Sequence, residues 1–173
     1  GLSRVNIRRG DWIAAQESHA PTRRFDARIR VLRGEQKPLK HWTPIHLHLG
    51  AADVTGRIAL LEGREIAPGE SGLVQLVLDE PVGALWGDRL ILRDQSARRT
   101  IAGGKAIDPF APARGRARPE RLEILKALEL PSAADALTAL LKLSHAGVEL
   151  QPFAKSRNLS QVETNNLWRN IEM

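Results

Sequence analysis

Hydrophobic and polar residues alternate along the first part of the chain. In residues 25–31 the apolar side chains fall on odd positions and the charged ones on even positions, so one face is buried and the other wet. The same alternation returns in residues 45–49, with His46 and His48 on the polar face. Four further runs of strand-forming residues follow: 57–61, 73–78, 89–93 and the start of a last one at 100–102. Turn residues bound each run and no helix-length segment interrupts them, which predicts an antiparallel β-barrel or sandwich.

The spacing changes to a helical one after residue 108. Pro119 is placed at the first position of a helix, and Leu122, Leu125 and Leu128 follow at intervals of three. Three more helices are predicted. The second helix is capped by Ser132 with Asp135 three residues later, has an apolar stripe of Leu137, Leu140 and Leu141, and ends at Gly147. The third is a short helix in residues 151–157. The fourth begins at a capping box of Ser160 and Glu163, with Leu159 as its staple residue.

The two parts meet in a segment rich in proline and arginine. We interpret residues 109–118 as a linker, residues 16–108 as the barrel and residues 119–173 as a helical unit. The helical unit reads as a winged helix without the β-hairpin that would complete it. We therefore expect this unit to be truncated and the chain to be a fragment.

Composition and charge narrow the classes of function. The chain has no cysteine, which excludes disulfides and thiolate metal sites. It also has neither a signal peptide nor a long apolar run, which favours a cytoplasmic protein without a membrane partner. The net charge is +6, and residues 1–107 hold about five of these charges. A basic excess favours an anionic partner such as RNA or DNA, although solubility alone is an alternative explanation.

Sequence motifs for catalysis are absent. Gly103, Gly104 and Lys105 are followed by Ala106 where a phosphate-binding loop needs a hydroxyl. We expect no catalytic residue, metal site or cofactor in this chain. His46 and His48 form a possible metal pair, but no third ligand is evident, so an outward polar pair is the preferred interpretation. Asp79 and Glu80 are predicted to lie solvated in a turn.

Two segments of the barrel part resemble a known family. Residues 44–57, ending in Asp-Val-Thr-Gly, resemble the third domain of elongation factor Tu and its relatives, which is a six-stranded antiparallel β-barrel. Residues 88–104 resemble the closing hairpin of that barrel. Within that family, three further segments resemble the selenocysteine-specific elongation factors (SelB). They are residues 7–12, residues 92–100 and the Arg- and Pro-rich residues 114–119 that lead into a helix. By this resemblance residues 1–15 are the end of the second domain.

The resemblance implies a function in translation. It implies that GTP and Mg²⁺ bind to a GTPase domain outside this chain, which works with a second barrel of the same protein. The third barrel would contact the acceptor and T stems of selenocysteinyl-tRNA, which the whole factor delivers to the ribosome at recoded UGA codons. Winged-helix units downstream would bind a hairpin of the mRNA.

The family's tRNA contacts can be placed on this sequence. The ends of the Asp-Val-Thr-Gly strand and the closing loop correspond to His46, Thr55 and the loop around Ser96 and Ala97. The predicted RNA-binding residues are Lys40, His41, His46, Thr55, Ser96, Arg98 and Arg99. Three alternatives stay open: that Thr55 only satisfies a turn, that Arg93 pairs with Asp94 or Asp88, and that Arg114, Arg116 and Arg118 are a solvated tract.

Other classes of function remain possible at this stage. The chain could be a DNA-binding regulator in which the helical half, residues 119–173, is a true winged helix and the barrel is a ligand or oligomer domain. Residues 151–171 would be its helix–turn–helix, whose second helix carries Asn165, Asn166, Trp168 and Arg169. A purely structural module would bind no nucleic acid.

Overall fold

A computed structural model of the chain describes residue 11, residues 20–144 and residues 146–171. Eight strands come first within these residues and four helices follow. The strands are β1 (Pro21–Val31), β2 (Leu39–Lys40), β3 (Thr43–Leu49), β4 (Ala52–Leu60), β5 (Glu65–Ile66), β6 (Ser71–Gly83), β7 (Arg89–Arg93) and β8 (Thr100–Asp108). The helices are α1 (Pro119–Leu128), α2 (Ala133–Leu143), α3 (Leu150–Ser156) and α4 (Gln161–Ile171). The proposed end of a second domain, residues 1–15, lies outside the described residues except for residue 11.

Six of the strands close into a barrel in the order β1-β6-β4-β3-β7-β8, and every neighbouring pair is antiparallel. The alternate apolar residues of each strand fill the interior, as Phe25, Ala27 and Ile29 do on β1. β2 and β5 form a separate two-stranded sheet. The prediction of a six-stranded antiparallel barrel is therefore confirmed, as is the helical unit that follows it.

The prediction that Asp79 and Glu80 lie in a turn is wrong. Both residues belong to β6, which continues to Gly83. β6 pairs with β1 on both sides of an irregularity, since Thr22 faces Val82 but Arg24 faces Val77. The extra residues of β6 form a bulge there, and a bulge can contain Pro81, which has no backbone N–H to donate. In the sequence such a bulge looks like a turn.

The prediction of a wet face on β1 is also wrong at its centre. Asp26 on that face is 0% exposed. The helical unit covers the outer surface of β1, β6 and β8, where the outward side chains of Leu73 and Ile107 join the apolar core of the helices. Burying this surface stabilises the helices, because short helices depend on tertiary packing for their stability.

The four helices form where local sequence signals place them. Ser132 caps α2 by accepting a hydrogen bond from the backbone of Asp135 at 3.2 Å. Before α4, the backbone of Ser160 donates to Glu163 at 2.8 Å and the backbone of Glu163 donates back to Ser160 at 3.2 Å. These hydrogen bonds satisfy donors that every helix N-terminus leaves unpaired. The hydroxyl and backbone of Ser160 lower the pKa of Glu163.

Ion pairs join the helical unit to the barrel, and those of Arg121 are largely buried. Arg121 of α1 donates to Asp26 at 2.5 Å and to Asp108 at 2.6 Å. Arg28 of β1 binds both carboxylate oxygens of Glu129, at 2.7 and 2.5 Å. Burial lowers the pKa of Arg121, but the charges and hydrogen bonds of its two carboxylate partners outweigh that effect and raise it. These contacts position α1 directly against the barrel.

The segment between the barrel and the helices rests on the barrel surface. Residues 109–118 contain neither helix nor strand. Gln75 of β6 donates to the carbonyl of Pro112 at 3.1 Å, and Arg116 lies over the ring of Trp42 at 5.7 Å from the centroid. The boundaries assigned to the domains from the sequence stay a prediction. None of the helices described is long and apolar enough to cross a membrane.

Candidate nucleic-acid interface

The outer wall of the barrel brings together two of the residues predicted to bind RNA. His46 on β3 stands opposite Thr55 on β4 and, on its other side, opposite Arg93 on β7. Ile45 and Leu47 point into the core, so the side chains of His46, Thr55 and Arg93 share the solvent face. We define the outer wall as the following outward residues of these three strands, which leave out Arg89 at the start of β7: Pro44, His46, His48, Asp53, Thr55, Arg57, Ile91 and Arg93.

Thr55 occupies the middle of a strand. Its hydroxyl donates to Asp79 at 2.5 Å, so its oxygen can still accept a hydrogen bond from a ligand. The following Gly56 is required by packing, since a Cβ there would lie 2.5 Å from the carbonyl oxygen of Val77. The alternative that Thr55 only satisfies a turn does not agree with its position in β4.

Both outward histidines approach one carboxylate. His46 Nδ1 lies 3.3 Å from Asp53 Oδ1, and His48 Nε2 lies 3.8 Å from the same oxygen. The described residues contain no group of three or more His, Cys, Asp or Glu side chains in an arrangement that could hold a metal ion. The contacts place the two imidazoles beside the one acidic side chain of the outer wall.

Asp94 organises the closing loop between β7 and β8. Its Oδ1 accepts hydrogen bonds from Ser96 Oγ at 3.0 Å and from the backbone of Arg98 and Arg99 at 2.9 and 3.2 Å. Desolvation acts to raise the pKa of Asp94, but these hydrogen bonds outweigh it and lower the pKa. Ala97 closes the loop with a φ of 53°. The hydroxyl proton of Ser96 is therefore used within the loop, so Ser96 can offer a ligand only the acceptor capacity of its oxygen.

The two arginines of this loop differ in their partners. Arg99 Nη1 lies 2.6 and 2.8 Å from the carboxylate oxygens of Glu35, whose side chain is 11% exposed. That pair ties the loop to residues 32–38. Arg98 forms no ion pair with any described residue. Of the two, Arg98 is thus the cation available to a phosphate.

The structure also settles how Arg93 is paired. It donates to the backbone carbonyl of Arg98 at 3.4 Å. It makes an ion pair with neither Asp94 nor Asp88 in the described part of the chain, contrary to that alternative. Arg93 therefore adds a positive charge to the outer wall beside the closing loop. The set of RNA-binding residues predicted from the sequence left Arg93 out.

Lys40 and His41 lie at the same end of the barrel as the closing loop. They directly precede β3, and β3 pairs with β7, the strand that enters the loop. Lys40 is exposed. His41 Nδ1 accepts a hydrogen bond from the backbone of Leu60 at 3.2 Å, which fixes this imidazole against β4. A cleft of about 260 Å³ separates this region from the loop and is lined by Lys37, Leu39, Thr43, Gln95 and Arg99, among others.

The helical candidate for nucleic-acid binding is less charged. Trp168 on α4 is 41% exposed, and Asn165 and Arg169 line the same shallow groove. Asn165 accepts a hydrogen bond from Gln161 at 3.0 Å. Glu163 offsets the charge of Arg169 on this helix, so α4 offers an anion less than the outer wall and closing loop do.

These features define the class: an antiparallel barrel of the type found in translation factors, with a cationic wall and a helical unit packed beside it. The chain belongs to the family described as "Selenocysteine-specific elongation factor, beta-barrel domain", whose model matches residues 26–113. It is 38% identical over 155 residues to the selenocysteine-specific elongation factor of Escherichia coli (strain K12), with 89% of this chain and 23% of the relative covered.

Two further relatives carry the same name. The factor of Haemophilus influenzae is 33% identical over 139 residues, which cover 80% of this chain and 22% of that protein. The factor of Desulfomicrobium baculatum is 29% identical over 147 residues, which cover 85% and 23%. The chain thus spans under a quarter of the length of these relatives. The comparisons favour a translation factor over a DNA-binding regulator.

Proposed function

We propose that this chain is the tRNA-binding part of a GTP-dependent elongation factor that delivers selenocysteinyl-tRNA to the ribosome at recoded UGA codons. Membership of the family and the names of three relatives support this function. The chain has no catalytic role in this proposal. GTP and Mg²⁺ bind to a GTPase domain outside the chain, a second barrel supplies the amino-acid pocket, and downstream winged helices bind the mRNA hairpin. The factor acts in the cytoplasm.

One observation carries the assignment of the surface: the lateral row of Thr55, His46 and Arg93 across three paired strands. Proteins recognise duplex RNA mainly through phosphates and 2′-hydroxyls, because side chains do not enter its deep groove. Arg93 and Arg98 supply charge for phosphates. The oxygen of Thr55, fixed by its bond to Asp79, is suited to accept from a 2′-hydroxyl.

The proposal is tested by binding of selenocysteinyl-tRNA to the 173-residue chain on filters over a range of salt concentrations. Arg98→Ala removes one cation available to phosphate, so we expect the slope of log affinity against log salt to fall by about 1. Lys126→Ala on α1 removes the same charge far from the wall and is the control. Equal slopes for the parent chain and Arg98→Ala would contradict this placement of the phosphate contacts, and absence of salt-sensitive binding would contradict the function.

Arg99→Ala separates a contact with RNA from a structural role. Because Arg99 is held by Glu35, we expect its loss to lower the stability of the closing loop and to change the salt slope less than Arg98→Ala does. A larger change in slope from Arg99→Ala than from Arg98→Ala would reverse the assignment of the two arginines.

A further inference from the structure

One exposed tryptophan lies next to the outer wall, directly before the start of β3. The outward positions of that strand are Pro44, His46 and His48, and Trp42 stands in the turn two residues before Pro44. Trp42 is 42% exposed. Its backbone has a φ of 68°, in the left-handed region that a bulky side chain rarely adopts. Residues held in such conformations are concentrated at functional sites.

Hydrogen bonds hold the turn that presents this ring. The backbone of Trp42 donates to the carbonyl of Ile58 at 2.6 Å, and its own carbonyl accepts from Arg57 at 3.3 Å. The hydroxyl of Thr43 closes the turn by donating to the carbonyl of Lys40 at 2.8 Å. The indole is therefore directed outward by a fixed backbone, whereas Trp86 donates its indole N–H to the carbonyl of Leu128 at 2.7 Å.

The ring has an imidazole and a guanidinium near it and is partly exposed to solvent. The imidazole of His41 lies 5.9 Å away between centroids, an offset stack at an angle of 25°. Arg116 lies 5.7 Å from the ring centroid, near the outer limit of a cation–π contact. Lys40, Arg57 and Arg116 form no ion pair with any described residue, although Glu65 faces Lys40 across the small sheet.

We propose that Trp42 is a stacking platform for an unpaired nucleobase of the RNA that the outer wall holds, with Arg57 and Arg116 beside its phosphates. The inference rests on the function proposed above and adds a second kind of contact to it. An aromatic face among cations is the chemistry by which proteins bind unstacked bases. Bases inside a stem are covered by their neighbours, so the ring can stack only where a stem ends or a nucleotide is unpaired.

The test compares two RNA probes on the 173-residue chain. One is a short duplex with blunt ends, and the other is the same duplex with a single-stranded adenine tail. Trp42→Leu keeps an apolar side chain of unbranched Cβ in the turn but removes the aromatic face. Phe110→Leu is the matched control, because Phe110 is 43% exposed and follows β8 at the opposite end of the barrel. Thermal unfolding of both variants verifies that the fold is kept.

We expect Trp42→Leu to weaken binding of the tailed duplex by about 5- to 100-fold and to leave binding of the blunt duplex unchanged. Phe110→Leu should change neither. The tailed duplex should quench tryptophan fluorescence in the parent chain more than the blunt duplex does, and this difference should vanish in Trp42→Leu.

Two other outcomes overturn the inference. If Trp42→Leu binds both probes like the parent chain, Trp42 is not a platform, while the outer wall keeps its proposed function. If Trp42→Leu weakens both probes equally, the residue supports the wall and stacks on no base. A parent chain that binds neither probe would instead contradict the function proposed for the wall.

Discussion

Replacing Arg121 by methionine is the most demanding test of how the helical unit is attached. The guanidinium side chain is 13% exposed and lies between Asp26 and Asp108, which are 0% and 12% exposed in their side chains. Methionine preserves the packing of the long side chain but leaves two buried carboxylates facing each other. Removing one partner of a buried ion pair typically costs about 3–5 kcal/mol, and the low exposure of all three groups places this variant in that range.

The loss should be measured by urea and thermal unfolding at pH 7. A cost of about 3–5 kcal/mol corresponds to a decrease of roughly 6–20 °C in Tm for a domain of this size. Arg114→Met is the control, because Arg114 is exposed and forms no ion pair among the described residues, and it should stay within about 0.5 kcal/mol of the parent chain.

The dependence on pH adds a second signature. Burial raises the pKa of Asp26 in the folded chain, and the charge of Arg121 opposes part of that increase. Without Arg121 the pKa of Asp26 rises further. The folded variant then binds more protons than the unfolded one above pH ~4, so its stability increases as the pH falls toward the unfolded-state pKa of about 3.9.

We therefore expect the deficit of Arg121→Met to be greatest at neutral pH and smaller near pH 4.5. Adding Asp26→Asn should recover part of the deficit at pH 7, because one uncompensated charge is removed. A deficit below about 1 kcal/mol at pH 7, or one that does not change with pH, would refute the reasoning that buried charge couples α1 to the barrel.

Two other substitutions test packing. In Gly104→Ala the new Cβ would lie 2.0 Å from the carbonyl oxygen of Arg28, so β1 and β8 must separate. We expect urea unfolding to show a loss of about 2–3 kcal/mol in the free energy of unfolding. The control Gly34→Ala should lose almost nothing, because no atom lies within 4 Å of its new Cβ. Arg157 donates to three backbone carbonyls at and after the C-terminal end of α1, and its guanidinium lies 4.0 Å from the centroid of the Trp86 ring. Since lysine lacks that planar fork, Arg157→Lys should cost about 1–2 kcal/mol and shift tryptophan emission, and unchanged emission would argue against the stack.

The barrel could be predicted because its information is local. The interior of a small barrel is filled by alternate residues, so every strand carries the same period of two. Helix caps such as Ser132 and Ser160 could likewise be predicted, because each capping residue bonds to a residue three positions later. Irregularities are less visible, since a bulge such as the one that includes Asp79 and Glu80 breaks the alternation in the way a turn does.

Burial of the charged face of β1 could not be predicted in this way. Alternation shows that the two faces of a strand differ, but it does not show what covers the polar one. Arg121 reaches Asp26 across 95 residues of sequence, and only the folded topology brings them together. The neighbouring positions alone therefore predict that the side chain of Asp26 is exposed to solvent.

The candidate site likewise has one part that the sequence predicts and another that only the folded structure shows. Spacing alone places His46 and His48 on one face, and the pairing of β3 with β4 then adds Thr55. The difference between Arg98 and Arg99 depends on Glu35, which lies 64 residues away from Arg99. Sequence reasoning thus placed His46 and Thr55 on one face, which the strand pairing confirms, but it could not tell a free cation from a paired one.

The central claim is that the outer wall, and not the helices, receives the tRNA. Its most direct test is a titration of the isotopically labelled chain with selenocysteinyl-tRNA, followed by backbone NMR shifts. We predict the largest changes at His46, Thr55, Arg93 and Arg98, with little change across α2. Changes confined to α3 and α4, with none in β3, β4 or the closing loop, would contradict the account and favour the helices as the nucleic-acid-binding surface.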